Sequence, residues 1–124
     1  MTADAEAQIV RHPNPLMLPP ITTVMEAARQ MHARHVRAVL VVEGDANLVG
    51  IFTERDAISR VLAAGRDPLT TTLADMMTNN PETISLQHTA PEMLRLMKEA
   101  RVRHLPVVRD GKTVGIVVRN DFPE

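Results

Sequence analysis

The chain says nearly the same thing twice. GIFTERD, from Gly50 to Asp56, returns about 65 residues later as GIVVRND, from Gly115 to Asp121. Upstream, MHARHVRAVLVV (Met31 to Val42) lies over MKEARVRHLPVV (Met97 to Val108), sharing Met, Val, Arg and the closing Val-Val. The register runs back to set Asn14-Pro15 over Asn80-Pro81 and Thr23 over Thr89. It runs forward with one residue of slack, EGDAN against RDGK. A tandem repeat obliges each half to build the same supersecondary unit. In a chain of 124 residues each half is too small to bury much surface alone, so the two are expected to share one compact fold.

Each half predicts the same order of elements. A Pro-containing extended lead-in, NPLMLPPI or NPETISL, comes first. A Thr-started helix follows, with Val24, Ala27, Ala28 and Met31, or Met93, Leu94, Leu96 and Met97, at helical spacing. Thr89 and Glu92 have the spacing of a capping box. AVLVV with LVGIF, and HLPVV with TVGIVV, then read as β-hairpins. In the first half ERDAISRVLAAG continues as a second helix stopped by Gly65, and RDPLTTTLADMM joins the halves. After Asp121 only Phe-Pro-Glu follows, so the second half is expected to lack that helix. ADAEAQIV, a helix-compatible stretch near the N-terminus, or a partner chain would then cover its sheet.

Composition narrows the function. The net charge of −1 provides no global field for nucleic acid or an anionic membrane. The absence of cysteine excludes disulfides, thiolate nucleophiles and Cys-type zinc sites. There is no secretory pattern and no apolar run of membrane-spanning length, so a cytoplasmic address is expected. Ser59 and Ser85 lie in no nucleophile elbow, and no P-loop or dinucleotide fingerprint occurs; catalysis is not expected, and no catalytic residue is assigned. Trp and Tyr are absent, Phe occurs twice and Met eight times, so a flat ligand would lie between aliphatic side chains. His32 and His35, three apart, are too few for a structural zinc site and read as solvent-facing; no metal site is assigned. The basic run Arg29, His32, Arg34, His35, Arg37 has no aromatic stacking partner, so a nucleic-acid face is poorly supported.

The repeated order of strand, helix, hairpin and helix, with Gly-hydrophobic-x-Thr-x-x-Asp in the first copy, resembles the cystathionine-β-synthase (CBS) domain family over roughly residues 12 to 122. The resemblance implies an α/β fold of two tandem repeats of β-α-β-β-α type, packed with pseudo-two-fold symmetry, the second lacking its final helix. The boundaries would be 1–11 for an N-terminal segment, a helix candidate, 12–68 for repeat 1, 69–77 for a linker and 78–124 for repeat 2. It also implies a regulatory module without catalysis, frequently a homodimer. Such a module binds AMP, ADP, ATP, NAD or S-adenosylmethionine between its repeats and acts on an effector protein that sequence does not identify.

Carried over residue by residue, the resemblance implies a stronger site of Ile51, Thr53, Arg55, Asp56, Thr78, Pro81, Thr83, Val102 and Arg103. Thr53 would bond a phosphate and Asp56 the ribose hydroxyls. A weaker site would use Met17, Val36, Arg37, His104, Ile116, Val118, Arg119 and Asp121, with His12 nearby. There Val118 replaces the hydroxyl, and His12 and Met17 stand where the other site has Thr78 and Thr83. The chemistry is consistent without the family: a carboxylate accepts two hydrogen bonds and suits a ribose diol, and arginines supply charge for phosphate. Two readings stay open beside it. Thr53-x-x-Asp56 is also a plain capping box, and a ligand-independent dimeric scaffold with vestigial sites is the rival function.

Overall fold

The structure, a computed structural model, describes residues 14–122. The expected N-terminal helix over 1–11 and His12 lie outside the described residues. Two compact units emerge: Leu16–Asn80 and, among the described residues, 81–122 together with 14 and 15.

In the first unit, β1 (Met17–Leu18) leads to α1 (Val24–Arg34), then to β2 (Ala38–Glu43) and β3 (Asn47–Thr53). Thr23 caps α1, its hydroxyl accepting the Glu26 amide at 3.2 Å. At the other end His35 takes the left-handed conformation, φ 57°, and its amide donates to the last carbonyls. β2 and β3 pair antiparallel, from Ala38 opposite Thr53 to Glu43 opposite Asn47, with a register shift between Val41 and Val42. Met17 and Leu18 run parallel to Leu40 and Val41. Val24, Ala27 and Met31 of α1 pack with Val39, Val41, Phe52, Val61 and Leu73.

The helix expected to run unbroken over ERDAISRVLAAG is not a single α-helix. α2 is one turn, Glu54–Asp56, and Ala57–Leu62 continues as a π-helix. The Ser59 hydroxyl donates to the Arg55 carbonyl at 2.8 Å, an acceptor that the α-helical ladder would use, and the ladder widens. Gly65 ends the segment at φ 74°, as its type predicts.

Residues 69–77, read as a linker, are folded against the first unit. Thr72 bridges to Thr23, Val24 donates to the Thr71 carbonyl at 2.8 Å, and α3 (Leu73–Met76) drops Leu73 into the core. The Asp75 carboxylate accepts the Thr72 amide, and this hydrogen bond holds its pKa below the ordinary aspartate value. β4 (Thr78–Asn79) then pairs antiparallel with β3, Thr78 opposite Ile51 and Asn79 opposite Gly50.

The second unit repeats the plan with α4 (Ala90–Ala100), β5 (His104–Arg109) and β6 (Lys112–Val118). The expected capping box forms: Thr89 donates its amide to Glu92 at 2.7 Å and its hydroxyl accepts the Glu92 amide at 3.3 Å. The hydrogen bond from the Thr89 amide, with one from its hydroxyl, holds the Glu92 carboxyl below its usual range. The hairpin register copies the first, from His104 opposite Val118 to Arg109 opposite Lys112, with the shift at the equivalent place between Val107 and Val108. One difference has a covalent cause. Leu40 donates its amide to the Leu16 carbonyl at 2.9 Å, whereas Pro106, at the equivalent position, has no amide to donate. The lead-in accordingly shrinks to the single bridge between Ile84 and Val107. After β6 comes one 3-10 turn, Arg119–Asp121, and Phe122 closes the core of Ile84, Met93, Met97, Leu105, Val107 and Val117.

Gly50 shows why the first copy of the motif begins with glycine. A Cβ there would overlap the Met77 side chain and meet the Thr78 carbonyl oxygen at 3.0 Å. Gly50→Ala is therefore expected to destabilise the protein by about 1–3 kcal/mol, the usual penalty of overpacking. Urea denaturation at equal slope checks this; an unchanged midpoint would mean that β4 does not press on β3.

Candidate functional site

Each hairpin ends at a turn built on one backbone hydrogen bond. Glu54 donates its amide to the Arg37 carbonyl at 2.9 Å, and Arg119 donates to the Arg103 carbonyl at 2.8 Å. The residue before each donor, Thr53 or Val118, is extended and stands at N-cap position, φ −113° and −114°. The same geometry then receives different side chains.

In the first unit the turn is a complete capping box. The Thr53 hydroxyl accepts the Asp56 amide at 3.2 Å, and Asp56 Oδ2 accepts the Thr53 amide at 2.9 Å. Among the described residues, the second carboxylate oxygen, Oδ1, has only an ion pair with Arg60 Nε at 3.8 Å. The Asp56 side chain is 17% exposed and that of Arg60 50%. Ile51 is buried and Arg55 exposed, and the exposed Thr78 on β4 lies directly across from Ile51. Of the stronger site, then, Ile51, Thr53, Arg55, Asp56 and Thr78 gather in the first unit. Pro81, Thr83, Val102 and Arg103 belong to the second. There Val102 donates its amide to the Met97 carbonyl at 3.0 Å, and Pro81 and Thr83 are half-buried on the approach to Ile84.

In the second unit the box is half made. Asp121 accepts the Val118 amide at 3.3 Å, but Val118 has no oxygen to return the bond. His104, Ile116, Val118, Arg119 and Asp121 of the weaker site share this unit, His104 directly opposite Val118. Met17, Val36 and Arg37 lie in the first, Met17 on β1 and 38% exposed.

Val36 and Arg37 line an open groove of about 440 Å³ with Ala28, Met31, His32, His35 and Glu54. Both histidines are exposed at the end of α1. Among the described residues no three His, Cys, Asp or Glu side chains converge as a metal-binding group. Sequence reasoning missed Glu54, whose carboxylate lies 3.7 Å from Arg37 Nε. It also missed Arg60 as the partner of Asp56, and Asn120, whose Oδ1 accepts from Arg103 at 3.1 Å. The spacing of Asp56 and Arg60, four apart on a helix, carried the signal for that pair. The other two join residues 17 apart and required the fold.

Comparison with known proteins assigns these features to a family. The family model described as CBS domain matches residues 7–63 and 73–122. A CBS domain-containing protein of Arabidopsis thaliana, CBSCBSPB3, is 39% identical over 102 residues, which is 82% of this chain and 18% of that protein. The chain thus spans under a fifth of the length of that plant relative. Hypoxic response protein 1 of Mycobacterium tuberculosis is 33% identical over 81% of this chain and 70% of its own. The CBS domain pair of protein MJ0100, solved in complex with 5′-methylthioadenosine and S-adenosyl-L-methionine, has a TM-score of 0.82. It is 27% identical, with 98% of this chain and 90% of that chain covered. These relatives are named for CBS domains or for a response, not for a reaction. No helix among the described residues is long and apolar enough to cross a membrane.

The half-made box yields a prediction. The Val118 backbone already has N-cap geometry, so Val118→Thr is expected to complete the box and stabilise the protein by about 1 kcal/mol. Thermal unfolding at matched concentration measures it; a lower melting temperature would show that the valine methyl packs better than the hydroxyl bonds.

Proposed function

The chain belongs to the CBS-domain family, and from that premise we propose that it is a regulatory module that binds an adenine-containing ligand at the Thr53–Asp56 turn. One observation carries the reading. Asp56 Oδ2 is committed to the Thr53 amide, whereas Oδ1, among the described residues, faces only the long Arg60 ion pair. Ion pairs to half-exposed arginines contribute little, so a ribose hydroxyl can displace Arg60 without dismantling the cap. The carboxylate then serves cap and ligand at once. The two adenosine ligands in the MJ0100 pair support the class. The module works by binding, in the cytoplasm, on an effector protein. A ligand shifts such a protein only by its difference in affinity between two states.

Asp56→Asn separates ligand from cap. Asn still accepts the Thr53 amide, so the ligand-free melting temperature should stay nearly unchanged. Losing a hydrogen bond to a charged group costs about 1.5–3 kcal/mol, roughly 10- to 150-fold in affinity, and most ligand-induced stabilisation should vanish. Differential scanning fluorimetry with AMP, ATP and 5′-methylthioadenosine reads both quantities. A variant with a lowered ligand-free melting temperature and a full ligand shift would return Asp56 to a purely structural role.

A homodimer belongs to the same proposal. Ile58 and Leu62 are 55% and 61% exposed, four residues apart on the π-helix, and Leu69 is 60% exposed. Apolar side chains grouped in this way favour burial against another surface, and a second copy supplies the same residues. Sedimentation is expected to show a dimer at micromolar concentration, with Ile58→Asp shifting it to monomer; a wild-type monomer would overturn this part. The ligand-independent scaffold would show the dimer with no ligand response at all.

A further inference from the structure

Each repeat passes from its lead-in to its first helix through the same four-residue bend, but the two bends are sealed differently. In the first unit the bend is Pro19-Pro20-Ile21-Thr22, closed where the Thr22 amide donates to the Pro19 carbonyl at 3.1 Å. Two proline rings restrict its backbone, and none of its side chains titrates. In the second unit the bend is Ser85-Leu86-Gln87-His88, closed by the equivalent bond from the His88 amide to the Ser85 carbonyl at 3.2 Å. The prolines are gone, and an imidazole takes over the sealing. The Ser85 amide donates to His88 Nδ1 at 3.1 Å, and the Ser85 hydroxyl lies 3.3 Å from the same nitrogen. The Gln87 amide donates to that hydroxyl at 3.2 Å. A backbone amide only donates, so Nδ1 is the acceptor and the neutral ring carries its proton on Nε2.

The bend steadies a segment with few other ties. Beside Ser85, Ile84 meets β5 in one bridge. Its amide donates to the Pro106 carbonyl at 3.0 Å, and its carbonyl accepts the Val108 amide at 2.9 Å. The first unit has the further bond from Leu40 to Leu16, which Pro106 forbids here. The charged groups on the elements around the bend are few. On α4 the Glu92 carboxylate feels the charges of both His88 and Arg95. Glu82 on the lead-in and Arg109 at the end of β5 are exposed. Ser85 and His88 are half-buried.

We propose that the Ser85–His88 bend is a pH-sensitive latch, holding the lead-in of the second unit on β5 while His88 is neutral and releasing it when His88 is protonated. Protonation sets an N–H on Nδ1 against the Ser85 N–H. The Ser85 hydroxyl can turn to accept from the imidazolium, but the amide is left without an acceptor, and a half-buried donor without a partner is costly. Glu92 favours the imidazolium, so protonation strengthens one interaction of the ring as it removes another. The sign follows from these roles. The bond needs a bare Nδ1, so the latch is closed above the range in which imidazoles titrate and open below it. The proline bend of the first unit has no such dependence. The latch does not depend on the identity of any ligand.

Amide hydrogen exchange and imidazole resonances, read by NMR on the full chain at about pH 7.5 and about pH 5.5, on either side of the imidazole range, test it on wild type and His88→Asn. Asn Oδ1 stands close to the place of Nδ1 and accepts the Ser85 amide at either pH. Comparing two proteins at one pH removes the intrinsic pH dependence of exchange. At the higher pH the Ile84 and Val108 amides should exchange alike in both. At the lower pH they should exchange about tenfold faster in wild type, as for one lost hydrogen bond, with Thr22 and Leu40 of the first unit unchanged. In wild type the neutral ring should be protonated on Nε2, and the Ser85 amide resonance should move with the ring titration. That titration decides the matter alone if the Asn variant does not fold. A Ser85 amide that stays put while the ring titrates would overturn the latch. So would equal exchange in the two proteins at the lower pH, or faster exchange in wild type spread over both units.

Discussion

Each repeat is closed by a single backbone hydrogen bond, from the amide just after the hairpin to the carbonyl just before it. The pairs are Glu54 with Arg37 and Arg119 with Arg103. This bond clamps the open mouth of the hairpin and sets the preceding residue, Thr53 or Val118, at the N-cap of the following turn. In the first repeat it also brings the Arg37 and Glu54 side chains within 3.7 Å of each other. Because the bond is made by main-chain atoms, it constrains geometry but not chemistry. Arg-Glu, Arg-Arg, Thr-Asp and Val-Asp combinations are all compatible with it.

That freedom explains how two copies of one unit differ in what they offer. The first turn spends its charges on itself: Arg37 with Glu54, Asp56 with Arg60. Asp56 keeps one carboxylate oxygen, Oδ1, outside the cap. The second turn lacks the cap hydroxyl and keeps two guanidinium groups instead. The two turns thus present different side chains on the same backbone geometry.

Much of the fold was legible in the residues. The repeat, the Thr-capped helices, the hairpins and the Thr89–Glu92 box are local patterns, and local patterns are decided by neighbours a few residues away. Thr53-x-x-Asp56 was legible too, though in two senses, and the structure contains the structural sense complete. The π-helix was not legible, because it depends on the Ser59 hydroxyl competing for the Arg55 carbonyl, and serine in a helix often faces water instead. Nor was the folded state of 69–77, since Leu73 is buried by Val24 and Phe52, far away in the chain.

The sequence by itself determined the repeat, the element order, the family and the side chains at each turn. It also determined the shortened lead-in of the second unit, because a proline has no amide wherever it is placed. Tertiary structure decided which of those side chains meet. Arg37 and Glu54, like Arg103 and Asn120, are 17 residues apart and share no local pattern. Only the antiparallel return of the hairpin, with its register shift, brings them together. The charge of each site is a sum over such neighbours, so it was set by the fold.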